Sequence, residues 1–242
     1  MKLLDLTLAT PADNLACDEA LLNWSESGDG VEILRFWEPR EHFVVVGYAN
    51  KVEQEAEVAA CREKGVSIFR RCSGGGTVLQ GPGCLNYALI LNIAERPSLA
   101  NISSANKFIM ERNAQALQTV LGSPPPAVFV RGHTDLALGE RKFSGNSQRR
   151  HKRALLFHGT FLLHLDLPAV TEFLRMPSQQ PDYRRDRSHI EFLTNLNLPA
   201  ARVKNALAKS WKAKGELSGF PAQDAHQLAT EKYSTPEWNY KF

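Results

Sequence analysis

Three consecutive glycines, Gly74, Gly75 and Gly76, stand between residues 66–69 (Val-Ser-Ile-Phe) and 85–91 (Leu-Asn-Tyr-Ala-Leu-Ile-Leu), which read as two short buried strands. Such a run weakens any strand and costs backbone entropy. One reason to keep it is that a ligand must approach the backbone closely. The loop reads Arg70-Arg71-Cys72-Ser73-Gly74-Gly75-Gly76-Thr77-Val78. Its N–H groups from Gly74 to Val78 can wrap an anion, and Arg70 or Arg71 can add a bidentate clamp on a phosphate or carboxylate. The competing reading is a glycine hairpin with two solvated arginines. This is no Walker A loop, because no Gly-Lys-Ser/Thr follows. Nor is it the dinucleotide fingerprint: the final glycine of G-x-G-x-x-G is missing, and a strand follows rather than a helix.

The chain has 242 residues, 43% hydrophobic and 23% charged, which suits a soluble globular protein with a core that needs no staples. A net charge of +3 and a pI near 8.7 are too mildly basic to imply nucleic acid. The longest apolar runs, such as residues 88–93, are too short to span a bilayer. Asp5 interrupts what would be the apolar region of a signal peptide, so no membrane is expected and the cytoplasm is the default location. Cys17, Cys61, Cys72 and Cys84 form no C-x-x-C pair, which argues against a zinc or thioredoxin-like motif.

Alternation predicts a strand over residues 3–8. Thr10 and Pro11 read as the cap and first turn of a helix over 12–25, closed by a turn at 27–30. Strands are expected over 31–37 and 43–46, and a helix over 52–63 that Gly65 stops. A long helix over 101–121 is broken by Gly122-Ser123-Pro124-Pro125-Pro126. Residues 128–130 read as a strand and 135–145 as a hairpin turning at Gly139-Glu140. Residues 155–165 read as a strand interrupted at His158-Gly159-Thr160. A short helix (167–175), an exposed polar loop (176–187) and a helix over 200–217 with Trp211 on its apolar side complete the chain. Strands and helices without a strict βαβ rhythm point to an α+β fold, a mixed, largely antiparallel sheet flanked by helices.

A second group of chemistry-bearing residues lies in the hairpin region. Lys142 follows a tight turn and precedes the small, polar run Phe143-Ser144-Gly145-Asn146-Ser147-Gln148. An ammonium there can stabilise negative charge on a phosphate or an acyl oxygen; a solvated hairpin lysine is the plainer alternative. Asp135 can hold Mg2+, a hard cation that prefers carboxylate oxygen, or cap a turn. Gly159 lets a ligand or backbone pass closely. His158 alone reads as a satisfied core histidine, and no acid–base work is assigned to it. The run Arg149-Arg150-His151-Lys152-Arg153 reads as a solvated loop that also suits an acidic protein partner.

The loop Arg70 to Val78 closely resembles the signature loop of the lipoate-protein ligase A family, within the biotin/lipoate A/B protein ligase superfamily. Lys142-Phe143-Ser144-Gly145-Asn146 is similar to that family's Lys-[Ile/Val]-[Ala/Ser]-Gly-[Ser/Asn]. Asp135-Leu136 is similar to its Asn-Asp-Leu, with Thr134 in place of Asn, and His158-Gly159-Thr160 to its His-Gly-Thr. Arg187 with Asn195-Leu196, Leu34-Arg35-Phe36-Trp37, Gly47 and Glu237-Trp238-Asn239 also find counterparts, in the family's order. The resemblance implies a biotin/lipoate-ligase-like catalytic domain that uses ATP and Mg2+ to activate lipoate, or octanoate, to lipoyl-AMP. The lipoyl group then passes to one lysine of a lipoyl-domain acceptor protein.

It further implies that Lys142 is catalytic. ATP or lipoyl-AMP contacts are expected from Arg70, Arg71, Ser73, Gly74, Gly75, Gly76, Thr77, Val78, Leu79, Asp135, Lys142 and Gly145. Lipoate contacts are expected from Lys142, His158 and Gly159, Mg2+ from Asp135, and an apolar tunnel from Val44 to Val46, Val78 and Leu162. Longer members of the family carry an accessory domain beyond the tryptophan segment. Residues 1–242 are therefore expected to be a single catalytic domain, with adenylation either self-sufficient or dependent on a separate accessory chain. Related lipoyl and octanoyl transferases, which need no ATP, use an acyl-thioester cysteine beyond the lysine motif. No cysteine follows Cys84 here, which favours the ligase; the transferase stays as the alternative, with Cys72 and Cys84, on either side of the glycine loop, as its candidate nucleophiles. The Gly-Arg-Gly-Arg-x-Gly loop of biotin ligases is absent, and Lys142 beside the glycine loop disfavours a non-catalytic binding protein.

Overall fold

The computed structural model describes residues 1–28, 30–122 and 127–242. The strands are β1 (Lys2–Asp5), β2 (Ile33–Trp37), β3 (Phe43–Val46), β4 (Ser67–Arg70), β5 (Val78–Gln80), β6 (Cys84–Asn92), β7 (Val128–Arg131), β8 (Asp135–Leu138), β9 (Arg141–Arg150) and β10 (Ala154–Leu162). The helices are α1 (Pro11–Ser27), α2 (Val52–Glu55), α3 (Val58–Glu63), α4 (Ile102–Gln118), α5 (Leu167–Phe173), α6 (His189–Phe192), α7 (Ala200–Ser210), α8 (Ala222–Leu228) and α9 (Pro236–Asn239). Seven strands form a mixed sheet in the order β1-β2-β6-β10-β9-β8-β7, in which only β1 and β2 run parallel. A second sheet, β4-β3-β5, carries the glycine loop between its two outer strands.

Strand periodicity divides the large sheet into two faces. On β6, Leu85, Tyr87, Leu89 and Leu91 join Leu34 and Phe36 of β2 and Leu155, Phe157 and Phe161 of β10 in a core covered by α4 and α7. The alternate residues, Asn86, Ala88 and Ile90 of β6 and Leu156, His158 and Thr160 of β10, face the other way. Part of that second face is sealed by α1, through Cys17, Leu21 and Leu22. The rest is left to the functional cavity. Helix α1 starts as its sequence suggests: Thr10 Oγ1 accepts from Asp13 N (3.1 Å), and Asp13 Oδ2 accepts from Thr10 N (3.3 Å), a reciprocal cap.

Several elements differ from the sequence expectation. The helix expected over 52–63 is two helices. Ala56 is extended between them, bridges to Leu174, and Glu57 N donates to Phe173 O, so pairing with the end of α5 outcompetes one helical turn. β10 runs unbroken through His158-Gly159-Thr160, because β6 and β9 pair with it on both sides. Helix α7 ends at Ser210 with Trp211 at its cap. The segment 176–187 is not simply exposed: Arg184 is buried, and much of the segment walls the cavity. The turn expected around Asp29 and the break at residues 123–126 lie outside the described residues. Among the described residues, no helix is long and apolar enough to cross a membrane.

Candidate active site

A cavity of about 1190 Å³ opens between the two sheets. The glycine loop forms one wall, and β8, β9 and β10 form the floor with β6. The segment from Leu174 to Phe192 closes one side. Of the residues singled out in the sequence, Arg71, Gly74 to Leu79, Asp135, Lys142, Gly145, His158 and Gly159 all line this space.

The two neighbouring arginines part company. Arg71 turns into its own loop: Nη2 donates to the carbonyls of Gly74 (2.5 Å) and Gly76 (2.7 Å), Nε to Gly74 (3.1 Å), and Nη1 to Val45 (3.3 Å). Burial lowers its pKa to about 10. By drawing the carbonyls to itself, Arg71 leaves the amides of Gly74, Gly75, Gly76 and Thr77 with no acceptor among the described residues. Four free N–H groups beside a guanidinium make an anion cradle. Gly75 adopts a φ of +86°, which favours glycine, whereas a Cβ on Gly74 or Gly76 would meet nothing within 4 Å.

Arg70 is a correction to the sequence reading. It is fully buried, lies off the cavity wall, and spends its guanidinium on five carbonyls, those of Gly47, Tyr48, Asn50, Trp238 and Asn239. Its backbone N–H also donates to Asn239 Oδ1, and its carbonyl accepts from Trp238 Nε1. A guanidinium so committed staples α9 to the root of the glycine loop. Ser73, 1% exposed, likewise sits behind the loop rather than on the wall. Val44 and Val46 point into the cluster around α5, while Val45, Val78 and Leu162 line the cavity, as strand alternation requires.

Lys142 owes its position to a β-bulge. Ala137 pairs with Lys142, yet Leu136 pairs with Ser144, so β9 carries one extra residue there. The bulge re-aims the side chains: Phe143 enters the core and Lys142 reaches Asp135, with Nζ 2.7 Å from Oδ1. Gly145 makes room for it, since a Cβ at that position would stand 2.8 Å from Lys142 Nζ. Asp135 Oδ2 accepts from the Tyr183 hydroxyl at 2.8 Å, and burial, with the Asp135 charge second, pushes the tyrosine pKa up. Among the described residues, no group of three or more His, Cys, Asp or Glu is placed to hold a metal. Asp135 fits Mg2+ only as a lone carboxylate that shares the ion with phosphate oxygens, and only by loosening Lys142 and Tyr183.

His158 belongs to a buried chain that the sequence did not reveal. Its Nε2 is 2.6 Å from Ser73 Oγ and its Nδ1 3.2 Å from Asp18 Oδ2. Asp18 in turn pairs with Arg35 Nη1 at 2.5 Å. Burial works against the Asp18 charge, but Arg35 and His158 outweigh it and hold the carboxyl below its ordinary value. The chain ties α1 and β2 to the start of the glycine loop. Gly159 is required by contact: a Cβ there would collide with Asn146 Oδ1. The basic run at 149–153 lies away from the cavity. Arg150 binds the Leu99 carbonyl and Arg153 those of Glu26 and Gly28.

The four cysteines are free, buried and absent from the cavity wall. Burial pushes Cys17 up to about 11 and Cys72 and Cys84 up to about 12, and raises Cys61. A thiol so placed is not ionised near neutral pH.

The family model of the lipoyl protein ligase A/B catalytic domain matches residues 10–212. The octanoyltransferase LipM of Anoxybacillus flavithermus is 27% identical, across 99% of this chain and 98% of its own. A structure from Thermoplasma acidophilum, of a bi-partite lipoate protein ligase and its E2 lipoyl domain, superposes with a TM-score of 0.83 at 26% identity. The match covers 99% of this chain and 95% of that one. A lipoate-protein ligase A bound with ATP superposes with a TM-score of 0.79, also at 26% identity, covering 99% and 98%.

Proposed function

The chain belongs to the lipoyl protein ligase A/B catalytic-domain family, and from that premise we propose that it is an ATP-dependent lipoate-protein ligase. It activates lipoate, or octanoate, to the acyl adenylate and transfers the acyl group to one lysine of a lipoyl-domain protein. The observation that carries this reading is the pairing of an anion cradle with Lys142 across a cavity that offers no cysteine. Joining a carboxylate to an α-phosphate brings two anions together, so preorganised positive groups are the main requirement. Arg71 shapes the loop whose free amides receive phosphate oxygens, and Lys142 exchanges Asp135 for the phosphate and the acyl oxygen. Mg2+, when bound, neutralises phosphate charge, with Asp135 as its protein ligand. In transfer the acceptor amine attacks the anhydride carbonyl and AMP leaves; the segment 174–192 keeps water from the adenylate.

The likeness to a bi-partite ligase also supports a separate accessory chain as a partner in adenylation. The likeness to an octanoyltransferase favours a second reading, acyl transfer from a carrier protein without ATP. Thioester relay needs an accessible, activated thiol, and the buried cysteines speak against it.

The test is the intact mass of a lipoyl-domain acceptor after incubation with this protein, lipoate, ATP and Mg2+, with and without an accessory chain. Lipoylation that requires ATP supports the ligase. Modification from an acyl carrier without ATP, with a hydroxylamine-labile adduct on the enzyme, selects the transferase.

A further inference from the structure

Gln80 of β5, Asn86 of β6 and Thr160 of β10 close a ring of hydrogen bonds on the cavity wall. Gln80 Nε2 donates to Thr160 Oγ1 (2.6 Å), Thr160 Oγ1 donates to Asn86 Oδ1 (2.5 Å), and Asn86 Nδ2 donates to Gln80 Oε1 (3.0 Å). The three residues are 4%, 9% and 5% exposed in that order: Gln80, Thr160, Asn86. Each amide nitrogen carries two hydrogens and the ring uses one. The second N–H of Gln80 and of Asn86 has no acceptor among the described residues. The indole Nε1 of Trp37, buried and on the same cavity wall, has none either. Three buried donors without acceptors are costly unless whatever fills the cavity supplies them.

Register shows where the ring lies relative to the charged end. Trp37 pairs with Asn86, Asn86 with Thr160, Thr160 with Gly145, and Gly145 with Asp135, one row across five strands. Gly145, beside Lys142, is two strand spacings from Asn86, roughly 10 Å. An extended eight-carbon acyl chain with its carboxyl end at Lys142 spans about that distance, which brings its far end over the ring.

We infer that Gln80, Asn86 and Thr160 determine acyl specificity. They favour a chain that carries acceptor atoms near its far end, such as a sulfur-bearing ring, over a plain alkyl chain of equal length. A saturated tail strands the three donors, whereas sulfur is a weak acceptor and is polarizable against the Trp37 ring. This inference rests on the ligase reading for the direction in which the acyl chain lies.

The test is calorimetric binding of free lipoate and free octanoate. The key variant is Gln80→Leu/Asn86→Leu/Thr160→Val, which removes the ring as a unit so that no member is left unpaired. Wild type is expected to bind lipoate about tenfold more tightly than octanoate. Lipoate also buries more apolar surface, so the decisive result is a narrowing of this ratio by about fivefold, chiefly through tighter octanoate. Trp37→Phe, which removes the unpaired indole donor and leaves the ring intact, gives a smaller narrowing and serves if the triple variant does not fold. An unchanged ratio in a folded variant, or tighter octanoate in wild type, overturns the inference. Binding of neither acid overturns it together with the ligase reading. Ring-dependent selectivity without ATP-dependent lipoylation supports the inference and overturns the ligase reading alone.

Discussion

Replacing Lys142 by alanine separates the structural from the chemical work of one ammonium. In the fold, Lys142 pairs with Asp135 through side chains 23% and 12% exposed. The pair is partly solvated, and Asp135 keeps the Tyr183 hydroxyl when the lysine is gone. The loss of stability is therefore small, about 1 kcal/mol, which for a chain of this size lowers Tm by about 2–4 °C. In the proposed reaction the same group meets charge that grows in the transition state. Loss of one such preorganised donor costs about 3 kcal/mol, or about 10²-fold in rate. Two assays divide the effect: ATP–pyrophosphate exchange for activation, and acylation of the acceptor from preformed lipoyl-AMP for transfer. Both are expected to fall by that factor while the melting curve moves by only a few degrees. Transfer from lipoyl-AMP at the wild-type rate would show that Lys142 serves activation alone. A collapse of Tm with unchanged rates per folded molecule would refute the reasoning altogether.

Gly76→Val is expected to leave Tm unchanged and abolish adenylate binding in calorimetry, because its Cβ meets no protein atom within 4 Å. Gly75→Val adds destabilisation of about 1–2 kcal/mol or more, since φ is +86° there; equal melting of the two variants contradicts the assignment. Arg70→Met strips five carbonyls of their donor and is expected to cost about 3 kcal/mol or more. Limited proteolysis should then cut first in the tail around α9, and wild-type resistance there refutes the staple. Asp18 has a lowered pKa in the fold, so its charge stabilises above the unfolded value of about 3.9, and that contribution disappears as pH falls through the lower folded value. Asp18→Asn is expected to lose stability at neutral pH and to show a shallower acid limb below about pH 4 in urea titrations; parallel limbs contradict the pairing with Arg35.

What was legible in the sequence was local. The triple glycine, the lysine motif and the apolar alternation of the central strands each fit within about ten residues, and backbone sterics and strand period act at that range. For the same reason most of the residues expected to contact ligand fall on one cavity wall, although much of that wall, Gln80, Asn86 and Tyr183 among it, was not singled out. What the sequence hid depends on which way a side chain faces once distant elements meet. Arg70 and Arg71 are adjacent and chemically identical, yet one ends β4 facing the chain terminus and the other folds back on the glycine carbonyls; no local pattern distinguishes them. Gln80, Asn86 and Thr160 are ordinary polar residues until strand register closes them into a ring across 80 positions. Asp18 looks like one more acid on a helix, although Arg35, a charge inside an otherwise apolar strand, was a signal that a buried partner had to exist.

The same distinction explains how the work of the site is divided. The groups with free capacity, the loop amides and the spare N–H groups of the ring, belong to residues that line the cavity. Other groups hold these in place. Arg70 gives its guanidinium to five carbonyls off the wall, and His158, on the wall, uses both ring nitrogens to connect Asp18 to Ser73. A buried charge that is fully paired resists being broken, because removing one partner strands the other. Such groups hold a glycine-rich loop, which is conformationally permissive on its own, in one shape. The loop can then offer its amides to an anion without first losing entropy to organise them, and a backbone already in place is what the proposed joining of two anions demands.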